Sequence, residues 1–465
     1  MFKTEINTTN MKNLIILFIL LILSISNYCQ QTLWGVTISG GDNNDGVIFK
    51  FDLSSSTFTK LHDFAIDDSL NGGNPYCSLV RDNNGVLYGT TAYGGINNNG
   101  VLYSFDPDND KYEVIYSFND STGGTLTNGF IDHDINYDIL LVNDSLLYGI
   151  LYKSNSINIF EFNIIKNQLT KLIQLPSDLN GNIPGLVKNG SLLYGISNNW
   201  IFSVNYITNE INKIIMPPSP LMPYFSKLYL ASNNKLYFVD YYGGAEYGAL
   251  LEYDSFNNVV NEVYKFMTFV HPDAAVSELN NGNIIGPTNG AIYTYNDESK
   301  IFDIPYKNWS FYPNGPLTIN SSDEAFGMCW ISNNNSRDDY YGEIYKYVVS
   351  TNSYNILFNF DSINGKLPSS SSLLLTGDIL GVQDNSYVQK IVNVFPNPAS
   401  DKISIDMKDI GKIKLSIYNL DGKLAFQETI SNIEESIDIS GLTNGIYLIK
   451  IESDNKNIYS RFMKK

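Results

Sequence analysis

The chain has 465 residues, with 48 acidic and 30 basic side chains, three His and three Cys. A net charge of −18 disfavours nonspecific nucleic-acid binding, which needs Lys and Arg against phosphates. The 43% apolar content excludes wholesale disorder, and three His leave little material for a metal cage or a His-based acid–base site.

Charge divides the chain. Residues 1–30 carry +1, residues 31–390 carry −19 and residues 391–465 carry 0. The last 75 residues therefore read as a separate unit.

Residues 1–29 read as a signal peptide. Lys12 precedes an unbroken apolar run from Leu14 to Leu23. That run is too short for a bilayer, which needs about 20 residues, and suits a secretory core. Cleavage is expected near Cys29 or Gln30. A lipoprotein reading of Cys29 is the alternative, with bulky Tyr28 in front of it against that reading. No later stretch reads as a transmembrane anchor.

Residues 31–385 repeat. An apolar–aromatic–Gly element recurs as Leu33-Trp34-Gly35, Leu87-Tyr88-Gly89, Leu147-Tyr148-Gly149 and Leu193-Tyr194-Gly195. Looser copies are Leu236-Tyr237-Phe238, Ile284-Ile285-Gly286 and Ala325-Phe326-Gly327. An alternating strand follows each, as in Phe49-Lys50-Phe51 and Tyr103-Ser104-Phe105, with period two placing the large side chains on one face. A third strand and a short apolar fourth complete the unit, and pairs such as Asn84-Gly85 and Asn281-Gly282 signal hairpins with positive φ at both positions.

Four short strands per unit and no helical period predict an all-β chain: a seven-bladed β-propeller followed by a small Ig-like β-sandwich. Leu373–Leu375 is expected to supply the missing strand of the unit that starts at Leu33. A partial copy at Ile379-Leu380-Gly381 competes with Leu33–Gly35 for one slot. Residues 87–118 carry Tyr-Gly-Thr-Thr, a Gly-Gly pair and an alternating aromatic strand. They resemble the GloVer tandem repeat of secreted bacterial proteins, and residues 33–64 do so almost as well. The resemblance implies a fold and no chemistry.

Residues 391–465 contain Phe395-Pro396-Asn397-Pro398, an Asp421-Gly422 turn and Asn444-Gly445-Ile446-Tyr447, and end in Lys464-Lys465. This segment resembles the type A C-terminal sorting domain of the type IX secretion system. The resemblance implies export across an outer membrane by that machinery, with Phe395, Pro396, Asn397, Pro398, Gly445 and Tyr447 as motif residues. The destination is the cell surface or the medium.

No phosphate loop, HExxH, Cys-x-x-Cys or nucleophile elbow occurs. No catalytic residue, metal ligand or cofactor is assigned. Asp132-His133-Asp134 reads as a solvated loop, and Asp106-Pro107-Asp108-Asn109-Asp110 as a hairpin tip, since an EF-hand needs Gly and Glu where Lys111 and Ser117 stand. Cys77 and Cys329 read as buried free thiols.

The links between the first and second strands are long in units one, two and seven. If the ring closes, those links form one rim carrying Asp42, Asp45, Tyr93, Asn97, Arg337, Asp338, Asp339, Tyr340 and Tyr341. Tyr faces and Asp or Asn acceptors suit a glycan or a protein. Two function classes follow. The favoured one is a non-catalytic secreted binder of glycan or protein. The alternative is an extracellular polysaccharide hydrolase or lyase on the same scaffold.

Overall fold

The computed structural model describes residues 31–465 except 67–70, 120–124, 127–137, 144, 154–155, 180, 198–199, 216–225, 242–246, 267–270, 273, 309–312, 314, 331–340, 369–370, 378–392, 396–398, 407–412, 420–422, 431–435 and 454–455. The expected signal peptide, Asp132-His133-Asp134, Ile379–Gly381 and Pro396-Asn397-Pro398 lie outside the described residues.

Each apolar–aromatic–Gly element forms a strand, and the alternating run after it pairs with it antiparallel. The register puts each glycine opposite an aromatic: Gly35 with Phe49, Gly89 with Tyr103, Gly149 with Phe160 and Gly195 with Phe202. Gly286 with Tyr293 and Gly327 with Tyr345 continue the series. The partner's ring occupies the space a Cβ would fill; at Gly35 and Gly149 that atom would lie 2.5 Å from Phe49 or Phe160. Unit five reverses the pair, with Phe238 in the glycine place and Leu251 opposite it. There the ring comes from the other strand and a Leu stands in place of the glycine.

Among the described residues of the repeat region, seven sheets are built this way. We number them by their glycine strands: Thr32–Ser39, Leu87–Thr90, Leu146–Lys153, Leu192–Ser197, Lys235–Asp240, Ile284–Thr288 and Glu324–Cys329. In units two to seven the short apolar strand pairs with the glycine strand that follows it, and the last strand lies at the far edge. In unit one the short strand is Leu374–Thr376, from the other end of the region. Trp34 Nε1 donates to Thr376 Oγ1 at 2.9 Å across that junction.

In units two, five, six and seven the hairpin from short strand to glycine strand differs from the expected two-residue turn, whereas unit four has one, with Asn189 paired to Leu192 around Gly190-Ser191. Asp82 N donates to Val86 O and Gly85 N to Asp82 O. Only the residue before the new strand has positive φ: Gly85, Asn234, Gly282 and Asp323. This is a three-residue loop with a bulge, so one αL residue suffices and the first Asn keeps ordinary φ.

Apolar clusters join neighbouring sheets. Trp34 and Ile48 of unit one pack with Leu87 and Tyr103 of unit two. One cluster spans units two, three and four. Others join four to five, five to six and six to seven. Leu33 and Phe49 of unit one pack with Phe326 and Ile344 of unit seven. The last strands add a regular ring stack: Phe358 on Phe58 at 3.9 Å, His62 on Tyr112 at 3.9 Å, Tyr264 on Phe302 at 3.5 Å and Tyr306 on Tyr354 at 5.5 Å. The first three are nearly parallel, and His62 holds the place that Tyr264, Tyr306 and Phe358 hold elsewhere.

Cys77 and Cys329 are free and buried, as expected. Burial pushes the Cys77 thiol up to about 12, which leaves it inert. Residues 393–465 have their own core of Ile403, Leu415, Ile417, Tyr447, Ile449 and Phe462. Two antiparallel sheets supply it, one of three strands and one of four.

Two predictions follow from this packing. Phe238→Gly should cost about 3–5 kcal/mol by opening a cavity. Adding Leu251→Phe rebuilds the majority pair and should return most of that in thermal unfolding. A double variant no better than the single would refute reciprocal packing.

His62 gives a pH signature. Burial pushes its imidazole below the ordinary range, against the opposing pull of Asn71, Asp63 and Asp110. The folded state therefore binds fewer protons than the unfolded chain as pH falls below about 6.5, and stability drops there. The loss is complete below the folded value. His62→Phe, the unit-seven residue, should remove this part of the melting-temperature profile between pH 7 and pH 5.

Candidate functional site

Units one and two link their glycine and aromatic strands with the same loop. Gly40-Gly41 and Gly94-Gly95 all have positive φ, as do Asn44, Asn98, Gly46 and Gly100. Gly46 N donates to Gly40 O and Gly100 N to Gly94 O, closing each loop. Asn44 Oδ1 accepts from Gly40 N at 3.3 Å, and Asn98 Oδ1 from Gly94 N at 2.9 Å. Buried Thr37 Oγ1 accepts from Val47 N; Thr91 Oγ1 accepts from Val101 N in the same way. Thr-x-x-Gly-Gly-x-x-Asn-x-Gly is thus a loop-building pattern.

Gly72-Gly73-Asn74 lies between the two loops. Gly73 pairs with Tyr93, while Asn74 N donates to Asp45 O and Asn74 O accepts from Ala92 N. Asp45 Oδ2 accepts from Ile66 N at 2.8 Å, so this carboxylate fixes a connection. Asp42 is exposed and salt-bridged to Lys60 at 2.9 Å, with Asp63 on the other side of the same ammonium at 2.8 Å. Asn97 is exposed. Tyr93 and Tyr341 are half-buried and pack on the apolar clusters. The structure therefore brings Asp45 and Tyr93 to one junction. Arg337, Asp338, Asp339 and Tyr340 lie outside the described residues.

Phe395 lies on the strand Asn393–Phe395 and Gly445 opens the strand Gly445–Ser453. Tyr447 is buried, and its hydroxyl donates to Thr443 O at 2.8 Å. Lys465 N donates to Ala399 O at 2.8 Å, so the end of the chain is tied beside the start of the tail.

A second constellation was not found from sequence. Register aligns one position in each unit, two residues before the short-strand residue opposite the middle of the apolar–aromatic–Gly element. In units one to seven it holds Ser372, Ser78, Asp138, Gly185, Lys227, Ala275 and Pro316. Four of these interact. Ser372 N donates to Ser78 Oγ at 3.0 Å, and Ser78 N to Asp138 Oδ1 at 2.6 Å. Lys227 Nζ lies 3.2 Å from Asp138 Oδ2, and both residues are buried. Gly185 sits beneath the pair, its absent Cβ 3.1 Å from Asp138 Cβ and 3.3 Å from Lys227 Cδ. Burial pushes the Lys227 ammonium well below its ordinary range. The sequence signal was a charged residue before the apolar triplet in units three and five, Asp138-Ile139-Leu140 and Lys227-Leu228-Tyr229.

Comparison with known proteins adds two domains. Residues 24–137 match the Gloeobacter/Verrucomicrobia repeat, and residues 393–465 match the secretion system C-terminal sorting domain. The chain carries both domains. The sorting domain marks it for secretion to the cell surface or extracellular space and for interaction with the type IX machinery. No helix among the described residues is long and apolar enough to cross a membrane.

The chain is also 29% identical over 114 residues to an endo-acting ulvan lyase of Formosa agariphila, covering 22% of each protein. It thus spans about a fifth of the length of that curated relative. Among solved structures, a putative 6-phosphogluconolactonase from Bacteroides uniformis matches at TM-score 0.47 and 14% identity, over 75% of this chain and 99% of that one. A quinonprotein alcohol dehydrogenase-like protein from Bacteroides thetaiotaomicron matches at 0.47 and 12%, over 76% and 79%. Likeness at that distance assigns no activity to this chain.

The buried pair makes a prediction. Lys227→Met removes the ammonium from beside the buried Asp138 carboxylate, and should cost about 3–5 kcal/mol. Adding Asp138→Asn keeps an acceptor for Ser78 and should restore most of the loss in urea unfolding. Equal instability of the single and double variants would show that the charge pair is not what matters.

Proposed function

We propose that residues 31–377 close into a seven-bladed β-propeller, and that the protein is an exported, non-catalytic binder of glycan or protein ligands. The observation that carries the ring is the convergence of equivalent positions. Asp138 of unit three reaches Lys227 of unit five over Gly185 of unit four. Ser372 of unit one reaches Ser78 of unit two, 294 residues away in sequence. Side chains from non-neighbouring units meet this way when their short strands surround a common axis. The cluster joining units seven and one supports the same closure.

On such a ring the loops after the glycine strands and the connections into the short strands share one face. Those segments are the variable ones, as in other scaffolds that bind through loops. Their carboxylates serve the fold: Asp45 holds Ile66, and Asp42 and Asp63 share Lys60. Glycoside cleavage would instead use two carboxylates facing across a cleft. A polysaccharide hydrolase or lyase is the second reading, favoured by the partial match to an ulvan lyase.

A glycan array probed with the full mature chain, beside a reducing-sugar assay on each bound polymer, separates the readings. Binding without release of reducing ends is the expected result. Time-dependent release from any bound polymer would make the protein an enzyme.

A further inference from the structure

One five-residue turn joins the aromatic strand to the last strand in every unit, at the end of each sheet opposite the Gly-Gly loops. Its fifth residue has positive φ in all seven copies, from Ser56 in unit one to Asn352 in unit seven. In units one to six its first residue is Asp or Asn, whose Oδ1 accepts from the backbone N of the third or fourth residue. The third residue is exposed in every copy, so the turn asks nothing of its side chain. Units one, two, six and seven place Ser54, Asp108, Glu298 and Ser350 there.

Units three, four and five place Ile165, Ile207 and Phe256 there, 80%, 60% and 94% exposed. The core does not need them. In units three and four it takes the preceding residues instead, Ile164 and Tyr206. The three units are consecutive and packed on one another. Lys171 Nζ, on the last strand of unit three, donates to Tyr206 O in the turn of unit four at 2.7 Å. Three large apolar side chains thus stand in water at equivalent places on neighbouring units.

We propose that Ile165, Ile207 and Phe256 dock the protein on a phospholipid surface, with the Gly-Gly loop end turned outward. Area selects the partner. A large apolar side chain buries at most about 150–250 Å², so three give roughly 450–750 Å². A second copy or another folded protein needs about 800 Å² from each side and a matching shape. Lipid flows around separate side chains and needs no matching shape. Charge agrees. The third to fifth residues of these three turns include Lys166 and no acid, while the turns of flanking units two and six hold Asp108, Asp110 and Glu298. On a region carrying −19, these tips approach lipid phosphates without a carboxylate of their own, and exposed Lys166 meets them. Such contact would hold at a membrane a chain marked for the cell surface or extracellular space, whatever its loops bind.

Flotation of the full mature chain with vesicles of phosphatidylethanolamine and phosphatidylglycerol tests this. We expect the chain to float with the vesicles. Ile165→Ser, Ile207→Ser and Phe256→Ser together install the residue that unit one carries. This variant should melt within a few degrees of the parent and partition about tenfold or more weaker. Lys166→Glu should weaken flotation by several fold. Ile96→Ser, at an equally exposed isoleucine on the opposite end, should leave it unchanged. If the triple variant does not fold, Phe256→Ser alone should still weaken flotation by several fold. No flotation, or flotation unchanged in the folded variants, overturns the proposal. Loss as large from Ile96→Ser makes the effect general stickiness and overturns it too. A dimer in sedimentation velocity that the triple variant abolishes, without flotation, overturns it in favour of a second copy.

Discussion

An aromatic ring laid over a glycine on the neighbouring strand is the contact the repeat depends on. Glycine in a strand interior costs roughly 0.5–1 kcal/mol of backbone freedom. It is kept because Phe49, Tyr103, Phe160, Phe202, Tyr293 and Tyr345 are too large to lie within the sheet layer over any other residue. The ring then fills the space between one sheet and the next, where a Phe or Tyr can bury about 150–250 Å². Unit five shows that the constraint is on the pair, since Phe238 faces Leu251 and the glycine is gone. The Tyr103 and Tyr293 hydroxyls are buried without a hydrogen-bond partner among the described residues. Phe in the same place in units one, three and four avoids that cost.

Once rings set the spacing between sheets, polar groups are confined to the two ends of each sheet. At one end, Ser232 bonds Glu278, and Asn280 bonds Asp323 and Asn320, tying units five, six and seven. At the other, Asn74 and His271 lie at the connections, and Asp138 pairs with Lys227 beside Gly185. A buried ion pair is weak evidence for stability. Its value here is positional: an ammonium and a carboxylate from units three and five meet only if unit four brings nothing larger than Gly185 between them.

Much of this was legible in the sequence. The glycine strands and aromatic strands follow from period two, and Leu374 pairs with Trp34 as the Leu373–Leu375 reading required. The hairpins were legible as turns but not as a type, because Asn84-Gly85 looks the same whether one residue or two takes positive φ. Asp138–Lys227 was illegible because its partners are 89 residues apart and their shared position emerges only from strand register. His271 was hidden similarly. Like Asn74 before Pro75 in unit one, it precedes a Pro and lies within hydrogen-bond distance of a strand-end carbonyl, an equivalence that only register reveals. On the expected rim, composition suggested acceptors, whereas Asp45 is occupied by backbone and Asp42 by Lys60.

The tail follows a different economy from the repeat region. Its core is its own, and its ends meet each other through Lys465 N and Ala399 O, with Ala399 fully buried. Tyr447 ties its strand to the preceding turn through Thr443 O. Nothing in that arrangement draws on the glycine–aromatic pairs of residues 31–377. Its net charge of 0 against −19 says the same of its surface. The sorting domain and the repeat scaffold therefore rest on separate cores. Units three, four and six lack the Gly-Gly pair of units one and two while their glycine–aromatic pairs persist, as a scaffold does when its loops are free to change and its sheet spacing is not.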